Sequence, residues 1–136
     1  MILGFDAKRA FTNFTGLGNY SRFVIQALAE TFPENEYQLY TPKIKVNADT
    51  QLFLNNPIYQ VKTPFAITAT LKLSSFWRSI NLGNVAYKNQ VQLFHGLSNE
   101  LPLTKPKGLK TILTVHDLIF LRYPKFYNSI DVKIYT

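Results

Sequence analysis

The chain has 136 residues, 46% hydrophobic and 17% charged, which supplies one domain's worth of core and excludes an intrinsically disordered composition. Fifteen Lys and Arg against eight Asp and Glu give a formal charge of +7, favouring anionic partners such as nucleotides, phospholipid headgroups or nucleic acid without choosing among them. The absence of cysteine excludes disulfides and thiolate metal sites and points to a reducing cytoplasm, and neither a signal-peptide pattern nor an apolar run of the roughly 20 residues that span a bilayer occurs.

Ile2 to Ala7 is a nearly unbroken apolar run closed by Asp6, the pattern of a central parallel strand buried on both faces. A loop of nine residues, including Lys8, Arg9 and Phe11, separates Asp6 from Gly16. Gly16 and Gly18 let the backbone turn tightly and let another molecule approach it. A helix starting just after them would aim unpaired N–H groups and its positive dipole end into that turn, a place for a phosphate. A tight strand-to-helix connection, with glycine for steric relief alone, accounts for the pattern equally well. Tyr20, Phe23, Val24, Ala27 and Leu28 recur at three-and-four spacing, predicting an amphipathic helix that ends near Phe32 because Pro33 cannot continue it.

Tyr37 to Tyr40 reads as a second strand, Lys43 to Asn56 as a surface excursion holding the small Leu52-Phe53-Leu54 cluster, and Ile58 to Val61 as a short third strand. Pro64 to Lys72 fits loop or helix. From Ser74 the pattern is helical, with Leu73, Phe76, Trp77 and Ile80 on one face and Ser74 or Ser75 as cap. Phe65, Ile67, Leu71 and Trp77 near Lys62, Lys72 and Arg78 suit a membrane surface, although core packing is the commoner fate of such residues. Val91 to Phe94 is a fourth strand running into His95-Gly96, and Lys110 to Val115 a fifth running into His116-Asp117. Phe126 to Thr136, with Tyr127, Ile130 and Ile134, reads as a helix without cap or breaker, so the chain is expected to be a fragment of a longer one. This alternation predicts an α/β fold, a doubly wound parallel sheet of about five strands with helices on both faces.

In such sheets ligands bind beyond the carboxyl ends of the strands, where the strand order reverses. Gly16, Gly18, His95, His116 and Asp117 are therefore the candidate site residues. One histidine at a strand end is ordinarily a loop residue bonded to backbone; two of them, with the glycine turn, favour a functional reading. Zinc on His95, His116 and Asp117 has suitable ligand types but no local metal spacing. No Gly-x-Ser-x-Gly elbow exists, and Ser98 is an ordinary loop neighbour of His95. A dinucleotide fingerprint is disfavoured, because Ser21 replaces the third glycine and Tyr40-Thr41-Pro42 lacks the acidic residue that would hold a ribose.

Gly4-Phe5-Asp6-Ala7 with Gly16-Leu17-Gly18-Asn19-Tyr20, then Phe94-His95-Gly96 with Leu101-Pro102-Leu103, then Thr114-Val115-His116-Asp117-Leu118 with Pro124 behind, together resemble glycosyltransferase family 4 over nearly the whole chain. These are retaining nucleotide-sugar enzymes of the two-domain GT-B architecture. The resemblance implies that residues 1–136 are the amino-terminal, Rossmann-like, acceptor-binding domain of a hexosyltransferase. It would move a hexosyl group, mannosyl by overall similarity, from a nucleotide-diphosphate sugar to a glycan or lipid-linked acceptor in polysaccharide biosynthesis.

Residue by residue, the resemblance implies Gly16 and Gly18 facing the donor phosphates, His116 as the catalytic residue bonded to the donor sugar near the reacting carbon, and His95 and Asn99 lining the acceptor pocket. No metal or other cofactor is implied. The expected partners are the nucleotide sugar, the acceptor, a carboxyl-terminal domain of the same protein and an anionic membrane touched peripherally at its cytoplasmic face, with no nucleic acid. The family's Glu-x7-Glu pair is a departure here, since none of Glu30, Glu34, Glu36 or Glu100 has a glutamate eight positions on. This chain alone is therefore expected to bind donor poorly and to be inactive. The alternatives are a stand-alone basic module for single-stranded nucleic acid and a different nucleotide-binding enzyme of doubly wound fold.

Overall fold

Ile2–Asp6 forms strand β1, the middle of a five-stranded parallel sheet of order β3-β2-β1-β4-β5. The computed structural model describes residues 1–64 and 80–122. The amphipathic helix expected around Leu73, Phe76 and Trp77, the stretch holding Phe65, Ile67 and Leu71, and the helix expected over Phe126 to Thr136 lie outside the described residues. The other strands are β2 (Glu36–Tyr40), β3 (Tyr59–Lys62), β4 (Leu93–Gly96) and β5 (Lys110–Leu113). The helices are α1 (Lys8–Thr12), α2 (Gly16–Thr31), α3 (Ala48–Asn55), α4 (Leu82–Lys88) and α5 (Ile119–Arg122).

Strand alternation sends successive side chains of β1 to opposite faces. Leu3 and Phe5 enter a core with Ala10, Phe11, Ile25, Tyr37, Leu39 and Phe53, on the side of α1, α2 and α3. Ile2 packs on the other side with Tyr40, Leu82, Ala86 and Phe94, against α4. The expectation of a doubly wound α/β sheet with a central strand buried on both faces holds. Among the described residues, no helix is long and apolar enough to cross a membrane.

Several boundaries differ from the sequence reading. The loop expected after β1 contains α1, whose Ala10 and Phe11 are buried in the core. Helix α2 begins at Gly16, not near Tyr20, placing both glycines inside its first turn. The expected surface excursion over Lys43 to Asn56 contains α3. Asn47 and Thr50 form a reciprocal capping box at its start, and Phe53 is fully buried. Helix α4, beyond the last periodic residue Ile80, was not expected. Strand β4 runs two residues further than Phe94, so His95 and Gly96 are paired strand residues, whereas β5 stops at Leu113 and leaves Thr114 to Leu118 as loop.

The register brings the carboxyl ends into one row. Asp6 pairs with Tyr40 on one side and Gly96 on the other, Tyr40 with Lys62, and Gly96 with Leu113. Connections from β1 run outward through β2 to β3, then cross back to β4, so the order reverses between β1 and β4. That crevice is where a parallel sheet of this kind exposes strand ends and helix starts to a ligand.

Candidate functional site

Asn13 organises the turn between α1 and α2. Its side-chain oxygen accepts from the Thr15 N–H at 2.9 Å, the Thr15 hydroxyl at 2.9 Å and the Gly18 N–H at 3.2 Å, while its own N–H donates to the Arg9 carbonyl. A Cβ on Gly18 would lie 1.7 Å from the Asn13 carbonyl oxygen and 3.1 Å from that of Arg9, so two backbones meet there too closely for a side chain. Gly16 is different: it is exposed, and a Cβ there would meet nothing within 4 Å. Steric need therefore explains Gly18 and leaves Gly16 unexplained by packing. Among the described residues, the Gly16 and Leu17 N–H groups find no acceptor, and they stand in the first turn of a 16-residue helix. Such groups carry the positive end of the helix dipole.

Arg22 ties this turn down from beneath. It is 6% exposed, and its guanidinium donates to the Ala10 and Asn13 carbonyls, both at 2.9 Å, and to the Asn19 side-chain oxygen. It also lies 5.4 Å from the Phe14 ring centroid. Asp49 stands 3.9 Å away and is mostly exposed, so the pair is a weak tether and the hydrogen bonds satisfy the cation.

The two histidines approach this turn through Tyr20, one turn into α2. The Tyr20 and His116 rings meet edge to face, centroids 4.8 Å apart at 86°. The Tyr20 hydroxyl lies 3.2 Å from the Thr114 hydroxyl, which is 2.8 Å from Nε2 of His95. One threonine thus joins α2 to β4. The loop carrying His116 is pinned by Asn99, whose side-chain oxygen accepts from the His116 N–H at 2.8 Å and whose own N–H donates to the Thr114 carbonyl at 3.0 Å. Asn99 adopts φ 56°, the left-handed region that Asn tolerates better than most residues. Nε2 of His116 bonds the Leu97 carbonyl at 2.8 Å. The Asp117 carboxylate accepts from the Ile119 N–H at 3.1 Å at the start of α5.

His95 points to the α2 side of the sheet, its ring centroid 6.0 Å from that of Phe5. It sits at one end of an apolar groove of about 600 Å³ that also touches Leu3, Val24, Leu28 and Ile112. Burial pushes its pKa below the ordinary histidine value, so it is neutral near pH 7. Among the described residues, no group of three or more His, Cys, Asp or Glu is placed to hold a metal ion.

The structure thus gathers Gly16, Gly18, His95, Asn99 and His116 at one end of the sheet, with the Asp117 carboxylate bonded at the start of α5. In the sequence Tyr20 reads as an apolar helix residue and Thr114 as part of a motif, and neither Asn13 nor Arg22 stands out as a site residue. A charged residue on the helix beside the glycines was the available signal for Arg22. No protein-family model, curated protein or solved structure matches this chain.

Proposed function

We propose that this chain is the amino-terminal lobe of a retaining glycosyltransferase, with the GT-B family 4 enzymes as its model. In this reading it moves a hexosyl group, mannosyl by overall similarity, from a nucleotide-diphosphate sugar to a glycan or lipid-linked acceptor. A carboxyl-terminal lobe of the same protein supplies the nucleotide pocket.

One observation carries the reading: the helix that begins with the glycine turn also presents Tyr20 to the face or edge of His116, 4.8 Å between centroids. Phosphate at the Gly16 and Leu17 N–H groups and a sugar at His116 then fall within one ligand's span. The diphosphate gains negative charge as the glycosidic bond to it breaks, and fixed N–H groups at a helix start stabilise that charge. His116 meets the sugar, while His95 and Asn99 flank the acceptor. Gly18 serves the site by letting the turn fold. The formal charge of +7 suits peripheral contact with the cytoplasmic face of an anionic membrane.

The test is a two-dimensional NMR titration of the whole chain. Millimolar pyrophosphate should shift the Gly16 and Leu17 amides, and GDP-mannose or UDP-glucose should additionally shift His116. No transfer is expected from this lobe alone. Saturating titration that leaves both regions unmoved, or that maps to another edge of the sheet, overturns the reading.

A further inference from the structure

We infer that Tyr20 is the positioning residue for His116: together with the Leu97 carbonyl it holds the imidazole as the Nε2–H tautomer, leaving Nδ1 as an acceptor that selects a ligand hydroxyl. The hydroxyl's identity as part of a sugar rests on the reading above; the positioning does not.

The tautomer follows from the partner. A carbonyl oxygen only accepts, so the nitrogen 2.8 Å from it must carry the proton, and in a neutral ring the other nitrogen is then the lone-pair acceptor. No described residue occupies Nδ1. One hydrogen bond fixes a point on the ring but leaves it free to tilt about that point. The perpendicular Tyr20 ring removes that freedom, because an edge-to-face pair favours one mutual orientation.

Tyr20 is itself held at both ends. Its backbone belongs to α2, and its hydroxyl is 3.2 Å from Thr114, which is anchored in turn on His95. The main chain of His116 is fixed separately by Asn99. Losing the ring of Tyr20 should therefore release the imidazole without releasing the loop. Because Tyr20 and Gly16 share one helix, the acceptor nitrogen and the free amide groups keep a constant separation. A ligand with an anion at one end and a hydroxyl donor at the other is the class this arrangement fits.

The test reads the ring nitrogens directly. Nitrogen-15 NMR of the whole chain, above the histidine titration range, should show His116 as a single Nε2–H tautomer. Tyr20→Phe should retain that pattern, since it keeps the ring. Tyr20→Leu should lose it, with both nitrogens moving to the averaged positions of an exchanging pair while the Asn99 and His116 amide signals stay in place. Tyr20→Met, closer in length, gives the same reading should the leucine variant not fold. Thr114→Val should disturb His95 more than His116.

An averaged pattern in the unaltered chain overturns the inference, as does a folded Tyr20→Leu or Tyr20→Met chain that keeps the single tautomer. GDP-mannose, added until the Gly16 and Leu17 amides stop shifting, separates the two proposals. Movement of Nδ1 supports the hydroxyl assignment, whereas an unmoved Nδ1 in a ring shown to be fixed removes the sugar and leaves the role of Tyr20 standing.

Discussion

On the β1–β2 side of the sheet, every residue from Leu3 to Asp6 and from Tyr37 to Tyr40 is buried, and Phe11, Ile25 and Phe53 close the face beneath the helices. On the β4–β5 side, Phe94 and Gly96 are buried, but Ile112, Leu113 and Val115 remain 47%, 39% and 46% exposed, and a groove stays open beside α2. The contrast separates two tasks. Stability is lodged where helices close both faces, whereas His95, Asn99 and His116 stand on the open half, next to the seam with β1, where side chains are held by hydrogen bonds more than by packing. Tyr20 crosses between the halves. Substitutions in the closed half should therefore unfold the chain, and those in the open half should alter its site while leaving the fold intact.

The largest effect belongs to Gly18→Ala. Its new methyl carbon would sit 1.7 Å from a carbonyl oxygen of the backbone, which cannot swing aside as a side chain can. Overpacking of this kind should cost more than about 3 kcal/mol, read as a collapse of the urea midpoint. A variant with the original midpoint would dissolve the claim that the glycine turn is part of the closed core. Arg22→Leu comes next. It strips the Ala10 and Asn13 carbonyls and the Asn19 side chain of their donor and should cost about 2–3 kcal/mol. Asp49→Asn should cost far less, because that carboxylate is distant and solvated; equal losses would shift the weight from hydrogen bonds to the ion pair.

The same contrast explains what could be read from the letters alone. The apolar run of β1 and the three-and-four spacing of α2 are long-lived signals, since burial on one face dictates residue type. The paired glycines at the start of α2, His95 near the end of β4 and His116 in the loop after β5 all lie toward the carboxyl end of the sheet, which the pattern could place. Helix α1 was missed because Lys8, Arg9 and Thr12 read as loop, and only contact with the core shows Phe11 buried. Helix α3 hid in a polar stretch whose capping pair, Asn47 with Thr50, lacks the usual acidic partner at the third position. The role of Arg22 was illegible for a physical reason: its acceptors are backbone carbonyls, which have no residue identity.

His95 tests whether the open half is truly open. Burial lowers its folded pKa below the ordinary value of 6.5, so in that range the unfolded chain binds more protons than the folded one. Stability from the neutral ring is complete above that value and is lost as pH falls through it toward the folded pKa, with a slope of at most about 1.4 kcal/mol per pH unit. Partial solvent access keeps the loss below that ceiling. His95→Gln should flatten this part of the profile, measured as the difference between variant and parent urea midpoints above and below the histidine range. Identical profiles would mean the groove wets His95 fully, and the halves would then differ even more than their packing suggests.

Gly16→Ala should produce the smallest effect and the sharpest division between the two tasks. An alanine there meets nothing within 4 Å and replaces a flexible residue in the first turn of a helix, so the fold should gain about 0.5 kcal/mol. The melting temperature should therefore rise slightly, opposite in sign to the Gly18 variant two residues away. If bare backbone at this position is what an incoming phosphate approaches, the same methyl group should weaken the pyrophosphate response of the Gly16 and Leu17 amides. A more stable chain that responds to pyrophosphate as before would assign both glycines to folding alone, and the free N–H groups of α2 would then be an exposed helix start and nothing more.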